Sequence, residues 1–514
     1  MVRIAFLFAI LAAFAIAAEP EPKFKPSKET TFVLGPLDAN GFIDYEAAVN
    51  KLLKGNTTPE TNAVVLLLKC FGPKPEGAEL KPDFYKALGV EAPSVEGEYL
   101  VSHSKHFKTE LSGEGMPAFN EFEACLKQQP WKPADSPKHA EWLKINEKPL
   151  AIAVEASRRK DYFHPMISRS KDGKKGLLIG ALLPTVQKTR ELANALSLRA
   201  MLKLGQGQVA DAFDDAIAMH RLARLVGRGG SLIELLVGIA IDAIAHATET
   251  TIFEHGNLTS KQALDYQAVL LKLPPMPGVA DKVGVFERMM FLDIAQTSGR
   301  DGLSVLEALG KDDGVQVPEG GADILTATLN WESVMRLGNT WYNRIETGLQ
   351  KPTRAERSAS AKQIEDELRK MKNEATNLGL LDKFFLNTGE PEKVRAKVSD
   401  RLGKILVSLL MPAFHKVSDA ADRGEQNQIN GIIATALAAH FADEKRYPEK
   451  LADLVPKYLA NVPDDVFNGK PLIYSKTDNV YLFYSVGVNG TDDGGKLVTD
   501  QPRGDDIGVR MPRK

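Results

Sequence analysis

Three consecutive segments within residues 184–250 carry apolar residues at helical spacing, and glycine-rich breaks separate them. In the second segment Phe213 and Ile217 lie four residues apart, which places them on one face of a helix. The breaks fall at residues 205–207 and 227–230, where glycine interrupts the helical pattern. A helix, a short glycine turn and a second helix make an antiparallel helical hairpin. The pattern therefore predicts three consecutive helices, with Phe213 and Ile217 in the core.

Similar helical patterns occur on both sides of this region, so the fold class is predicted to be mainly α. They cover residues 44–53, 61–71, 82–88, 119–126, 138–157, 260–273, 281–297, 324–349 and 353–378. Residues 199–212 loosely resemble a tetratricopeptide hairpin, but the chain has no clean repeat of about 34 residues, so a solenoid is not predicted. We expect a multi-helix body of antiparallel helical hairpins, followed by a small C-terminal α+β module.

Changes in composition divide the chain into five predicted regions. They are a signal peptide at 1–18, a linker at 19–43, an N-terminal helical region at 44–180, a helical body at 181–400, and a long helix with the α+β module at 401–514. Residues 302–321 are rich in Gly and Asp, which is typical of a loop.

The N-terminus has the pattern of a secretory signal peptide. Arg3 precedes an apolar run over residues 4–17, and small residues follow at the end of that run. This pattern predicts cleavage after Ala17 or Ala18, with the mature protein periplasmic or secreted. An uncleaved anchor is the alternative, although the run is shorter than the roughly 20 residues that span a bilayer.

Charge and cysteine content exclude some classes of protein. The chain has 65 Lys and Arg against 67 Asp and Glu, a formal charge of −2, which argues against a general nucleic-acid binder. The only cysteines are Cys70 and Cys125, so a disulfide-dense scaffold is excluded. In an oxidising compartment the two cysteines can pair, and two buried thiols are the alternative.

The C-terminus changes character, because strands and aspartate-rich turns replace the helical pattern. Residues 470–474 and 480–486 predict two strands of a hairpin. A long amphipathic helix is followed, in order, by Arg446-Tyr447-Pro448, Phe467-Asn468-Gly469, Tyr484-Ser485-Val486-Gly487, Gly494-Gly495 and Gly504-Asp505-Asp506-Ile507. Over residues 426–508 this order resembles the globular domain of the major, G-type pseudopilin of type II secretion. The resemblance implies the same α+β fold for this segment.

In the pseudopilin family the loop after the second strand and a terminal acidic pair hold a calcium ion. The resemblance places the corresponding ligands here at Asn489, Asp492, Asp505 and Asp506. Asn489 stands where the family has an aspartate, which removes one charge and weakens binding, and Phe467 stands where the family has tryptophan. An aspartate-rich turn cluster without an ion is the alternative, with Arg503 or Arg510 as the neutralising cation. No prepilin-peptidase site precedes the helix, so assembly into a pilus is not implied.

Standard catalytic motifs such as HExxH, GxSxG, a Walker-type phosphate loop and CxxC do not occur. The strongest polar cluster lies broadly on one face of an otherwise apolar helix and comprises Glu234, Asp242, His246 and Glu249. The preceding antiparallel helix offers His220, Arg221 and Arg224. A buried acid beside a histidine can act as a general acid or base. Alternatively, burial demands that the carboxylates pair with the arginines. A weaker hypothesis places a metal at His103 and His106.

These observations favour an exported, non-enzymatic bacterial envelope protein that acts as a helical scaffold through protein partners. The resemblance implies a link to type II secretion. The alternative is a secreted hydrolase with its site between helices near Glu234, Asp242 and His246. A cleft that gathers these side chains with an arginine favours the enzyme, whereas a solid core in which they are paired favours the scaffold.

Overall fold

A computed structural model describes residues 25–75, 79–108, 112, 116–168, 176–181, 183–302, 329–376, 391–411, 414–477, 480–498 and 500–512. It is mainly α-helical with a small antiparallel sheet near the C-terminus, as the sequence predicts. The predicted signal peptide and nearly all of the loop predicted at 302–321 lie outside the described residues.

Helices and strands are numbered along the chain. The helices are α1 Tyr45–Lys54, α2 Ala63–Phe71, α3 Pro82–Leu88, α4 His103–His106, α5 Met116–Leu126, α6 Pro137–Ile145, α7 Glu147–Ala156, α8 Val186–Gly205, α9 Val209–Gly227, α10 Leu232–His255, α11 Ser260–Leu270, α12 Val279–Lys282, α13 Arg288–Asp301, α14 Trp331–Leu349, α15 Arg354–Thr376, α16 Pro391–Leu410 and α17 Phe414–Glu444. The strands are β1 Ile473–Lys476, β2 Tyr481–Ser485 and β3 Ile507–Met511.

Two compact units form the structure, and each combines three separate stretches of the chain. The first unit consists of Met1–Gly55, Met166–Leu182 and Val279–His415. The second consists of Asn56–Pro165, Leu183–Gly278 and Lys416–Lys514. The segments singled out for a site by the sequence, residues 220–249 and 489–506, both belong to the second unit.

The first unit packs α13 closely against α14. A Cβ atom at Gly338 of α14 would lie 2.0 Å from Cε1 of Phe291 in α13, so only glycine permits this approach. Gln296, also on α13, exchanges hydrogen bonds with both backbone groups of Ile43. The helix predicted at 281–297 is longer, because α12 continues through a π-helical turn at Val283–Glu287 into α13.

In the second unit, the single helix predicted at 138–157 is two helices, α6 and α7, that meet at Asn146. Pro149 accounts for the break, since proline lacks an N–H and its ring clashes with the carbonyl four residues earlier, here that of Ile145. The Asn146 side chain is fully buried and bonds to the backbone N–H and carbonyl of Val101. Pro149 therefore indicates the division into two helices, which the apolar spacing alone does not.

Helices α8, α9 and α10 confirm the predicted hairpins. Ser231 caps α10 in a reciprocal arrangement with Glu234, as expected from a serine after the glycine break. Phe213 and Ile217 are both buried, 7% and 6% exposed. The Phe213 ring stacks on Tyr266 of α11 with 4.1 Å between ring centroids.

The C-terminal module packs α17 on a three-stranded antiparallel sheet in which β2 is central. Ile433 and Leu437 of α17 share one apolar core with Phe483 of β2 and Val509 of β3. The first two strands were predicted within a few residues. The third was missed, because Ile507–Met511 is short and contains both glycine and arginine.

The two cysteines are unpaired. Cys70 is buried and donates to the carbonyl of Pro149 at 3.3 Å, whereas Cys125 is exposed. Burial raises the pKa of the Cys70 thiol, which keeps it protonated. Within the described residues, no helix combines the length and apolar character needed to cross a bilayer.

Candidate functional site

A group of ionisable side chains is buried between α9 and α10, and we call it the polar cluster. Its members are His220 and Arg224 from α9, and Asp242, His246 and Glu249 from α10. Each set lies on one helix face, because residues three, four or seven positions apart share a face. The cluster is almost fully buried: Asp242 is 2% exposed, Glu249 1%, His220 0% and His246 7%.

His220 bridges the two carboxylates of the cluster. Its Nδ1 lies 2.7 Å from Oδ1 of Asp242, and its Nε2 lies 3.2 Å from Oε2 of Glu249. The Arg224 guanidinium also donates to Oδ1 of Asp242. His246 completes the arrangement, with Nδ1 at 2.7 Å from Oε1 of Glu249 and Nε2 at 3.4 Å from Oδ2 of Asp242. Three of the four carboxylate oxygens therefore have a hydrogen bond from a nitrogen, whereas Nε2 of His246 makes no hydrogen bond.

The pKa shifts show that the cluster is internally neutralised. Burial alone would lower the pKa of His246, but the charges of Glu249 and Asp242 outweigh it and raise that pKa to about 9. Burial opposes ionisation of Glu249 as well, and His246 and His220 outweigh it, so its pKa falls to about 2. Asp242 is shifted down for the same reasons. Two carboxylates thus face the Arg224 guanidinium, protonated His246 and the imidazole of His220.

Helix α17 of the C-terminal module covers this cluster. Gln428 on α17 accepts a hydrogen bond from Nη2 of Arg224 at 3.1 Å. One turn later, a Cβ atom at Gly431 would lie 2.5 Å from Oε1 of Glu249, so the helix backbone rests against the carboxylate. Tyr266 of α11 donates to Oε2 of Glu249 at 2.7 Å. The polar cluster therefore joins the helical hairpins to the C-terminal module.

Two residues expected in this site lie elsewhere. Glu234 bonds to the backbone N–H and the hydroxyl of Ser231, so it caps α10 instead of joining Asp242. The reason is angular, since eight positions along a helix leave a rotation of about 80°. Arg221 also points away from the cluster and lies on the side of α9 that faces Arg158. The hypothesis that Glu234, Asp242 and His246 form one site is wrong for Glu234.

Two groups of side chains have the donors that a metal would need. His220, Asp242 and His246 each offer one ligand atom within 4.8 Å of the others. However, the 2.7 Å between His220 and Asp242 is a hydrogen-bond distance. Ligand atoms about 2.0–2.1 Å from a shared tetrahedral ion would lie farther apart than this. The distances in the polar cluster are therefore those of hydrogen bonds between its side chains and not those of ligands around one metal ion.

The second group combines His103, Glu123 and His139. His103 Nε2 lies 3.0 Å from Glu123, and Lys127 pairs with the same carboxylate at 2.7 Å. Burial lowers the pKa of His139 to about 4, so its ring is neutral, and Nδ1 bonds to the Ser136 hydroxyl at 2.8 Å. The sequence pointed to His103 but missed its partners, because Glu123 and His139 come from other helices.

The C-terminal aspartates occupy two loops that lie side by side. Asp505 accepts a hydrogen bond from the N–H of Asn489 at 2.8 Å, and Asp506 accepts one from Gly495 at 2.8 Å. Asp492 accepts from the hydroxyl of Tyr484 at 3.0 Å. Burial and the nearby charges of Asp493 and Asp492 raise the pKa of Asp506, although two backbone N–H groups oppose this.

A different arginine from those expected neutralises these loops. Arg510 pairs with Asp500 at 2.9 Å and donates to the carbonyl of Gly495 at 2.9 Å. Arg423 of α17 instead lies 3.3 Å from Asp505. Asp493, which the resemblance did not include, accepts from the N–H of Asp505 at 2.9 Å. No local pattern indicated this role for Arg423, because it lies 82 residues before Asp505 along the chain.

Comparisons with protein-family models, with curated proteins and with solved structures found no match to this chain.

Replacing Gly431 tests whether α17 rests on the polar cluster. Gly431→Ala should destabilise the protein by about 1–3 kcal/mol, because the added methyl group must displace Glu249 or the helix. Gly424→Ala in the same helix is the matched control: its Cβ would meet nothing within 4 Å. That control should be neutral or stabilise by up to about 1 kcal/mol. Urea unfolding measures the free energy of unfolding of both variants. An equal change in the two variants would contradict the contact between α17 and Glu249.

Replacing His246 should remove a defined part of the pH dependence of stability. The folded protein raises the pKa of His246 from 6.5 to about 9, so its contribution is fully present below pH 6.5 and is lost as pH rises to 9. We expect His246→Gln to be destabilised at pH 6.5, by a margin that shrinks by on the order of 3 kcal/mol towards pH 9. Denaturant unfolding across this range measures the margin. A margin that does not change with pH would mean that His246 is neutral when folded.

Proposed function

We propose that this chain is an exported, non-enzymatic bacterial envelope protein, in which a helical scaffold carries a pseudopilin-like C-terminal module towards protein partners. The observation that carries the proposal is the closure of the polar cluster. Its acids and bases are the best catalytic candidates in the sequence, yet Asp242 and Glu249 are buried, paired and covered by α17. A general acid or base must reach the proton that it transfers.

The rival function, a secreted hydrolase, depends on the same residues. It would require a cleft into which Asp242 and His246 project, with Glu234 beside them. The structure instead pairs Asp242 with Arg224 and His220, and assigns Glu234 to a helix cap. Buried ion pairs of this kind shift pKa values as strongly as catalytic groups do. The scaffold is therefore the better-supported function.

The order of elements supports the pseudopilin-like character of the module. A long helix, a strand hairpin and two adjacent aspartate-bearing loops follow one another as in the family that the sequence resembles. The link to type II secretion rests on that resemblance alone. The fixed attachment of α17 to the hairpins, through Gln428 and Gly431, suits a module that is presented by a larger body.

We further propose that the two loops bind calcium. The donors would be the carboxylates of Asp492, Asp505 and Asp506 and the amide oxygen of Asn489, and hard oxygen ligands of this kind suit Ca²⁺. The carboxylates keep lone pairs beyond those used by the backbone N–H groups. Burial raises the pKa of Asp506, and the charges of Asp493 and Asp492 add to the shift; a bound cation would offset those charges. With an asparagine at position 489, we expect an affinity on the order of 10⁻⁴–10⁻³ M.

Thermal melting of the full-length protein with calcium or with chelator tests this site. Calcium at millimolar concentration should raise the melting temperature of the transition that includes the module, because an ion that binds only the folded state stabilises it. Asp506→Asn should abolish the rise, whereas Asp464→Asn, at an exposed position, should retain it. Identical melts of the unmodified protein with and without calcium would contradict the proposal and leave Arg423 as the cation of these loops.

Export and partner contact are tested in the native bacterium. Mass spectrometry of the purified protein should find a mature N-terminus at Ala18 or Glu19, in the periplasmic or secreted fraction. A photo-crosslinker at an exposed position of the module, such as Asp464, should capture a component of type II secretion, whereas one at Lys86 of α3 should not. An intact Met1 in the cytoplasm would contradict export. Equal capture from both positions would contradict presentation by the module.

A further inference from the structure

A groove of about 540 Å³ in the second unit is lined by a concentration of positive charge, and we call it the basic groove. Its cationic residues are Arg158, Arg159, Lys160, Arg221, Arg224 and Arg228. The other residues that line it are a serine, a leucine and a proline, so no carboxylate is among them. The whole chain has a formal charge of −2, so this concentration is local and does not reflect a basic protein.

Two walls bring these cations together. Residues 158–160 follow the end of α7, and Arg221, Arg224 and Arg228 lie three to seven positions apart on one face of α9. Arg228 donates from Nη1 to the carbonyl of Lys160 at 2.7 Å, which ties one wall to the other. Arg224 donates from Nε to the carbonyl of Pro274 at 2.9 Å. The groove is thus part of the folded framework.

Among the described residues, four of the six cations form no ion pair with a carboxylate: Arg158, Lys160, Arg221 and Arg228. Arg224 is neutralised by Asp242, and Arg159 lies 3.6 Å from Glu155. Arg221 is only partly exposed. Burial and the charge of Arg158 lower its pKa, whereas the charge of Asp214 raises it by less. Like charges held together in this way destabilise the unliganded fold. An anion between the walls would remove that repulsion.

We infer that the basic groove binds a small ligand with two or more adjacent phosphate or sulfate groups. Guanidinium groups bind such oxygens in bidentate fashion, and arginines on both walls can approach a tetrahedral anionic group from different sides. The volume of about 540 Å³ is within the range of small-molecule sites and exceeds what one ion fills. The site is distinct from the polar cluster and from the C-terminal loops, and it does not depend on the proposed function.

Tripolyphosphate is the first probe, titrated into the full-length protein at constant ionic strength. We expect saturable binding by calorimetry and a rise in melting temperature, with inorganic phosphate binding more weakly because it spans fewer cations. The double variant Arg158→Gln, Arg221→Gln should lose at least tenfold in affinity. Without ligand this variant should melt at the same temperature as the unmodified protein or higher, because its mutual repulsion is gone. Arg224 is left unchanged, since its loss would expose Asp242.

The matched control removes the same charge elsewhere in the second unit. Lys86→Gln, Lys144→Gln changes two exposed lysines on α3 and α6 and should retain full affinity. Two results would overturn the inference: no saturable binding of tripolyphosphate, or equal affinity in both double variants. A loss of melting temperature in the groove variant without ligand would also overturn it, because it would show that the arginines stabilise the fold.

A second arm separates the two sources of such a ligand. Vesicles of phosphatidylcholine, with and without phosphatidylinositol 4,5-bisphosphate, whose headgroup carries two adjacent phosphates, are floated with the protein. Selective flotation with the bisphosphate lipid, competed by tripolyphosphate and lost in the groove variant, would support a lipid headgroup. Binding of tripolyphosphate without flotation would support a free oligoanion. Flotation that persists in the groove variant would contradict a role of the basic groove in membrane binding.

Discussion

The second unit depends on neutralising two carboxylates that α10 buries. An ionised carboxylate loses several kcal/mol of hydration when buried, and only close, well-aligned partners offset that loss. Asp242 and Glu249 obtain them from His220, Arg224 and His246. The pairing also fixes the register of the helices, since a slip of one residue along α9 would turn His220 to another face. Apolar contacts alone would tolerate such a slip more readily than this hydrogen-bonded network does.

Local signals in the sequence were sufficient to predict most helices of this unit, although not α4 or the division between α6 and α7. The glycine breaks and the spacing of Phe213 and Ile217 gave α8, α9 and α10, because hairpin helices are specified by neighbouring residues. The prediction of a single helix at 138–157 was wrong, because it followed the apolar spacing and ignored the helix-breaking effect of Pro149. Strand β3 was missed because its pairing with β2 depends on residues far apart along the chain, which no local pattern reports.

The candidate sites were predictable to a smaller extent, for a related reason. Helical periodicity correctly placed Asp242, His246 and Glu249 on one face, and the antiparallel hairpin brought His220 and Arg224 opposite them. Nothing in the sequence indicated that α17, almost 200 residues later, would close the cluster through Gly431. The same limit applies to Arg423 beside Asp505 and to Glu123 and His139 beside His103. Side chains from distant segments decide whether a group of acids and bases is open or enclosed.

Arg224 belongs both to the polar cluster and to the lining of the basic groove, and this double position decides the charge that the groove presents. Asp242 neutralises Arg224 from the buried side. Since the carboxylate lies behind the guanidinium and is almost fully buried, it is a poor partner for the cations nearer to solvent. Arg158, Lys160 and Arg228 are exposed, and their side chains line the groove. The unit therefore neutralises the most deeply buried cation of the groove and leaves the outer ones to meet an anion from solution.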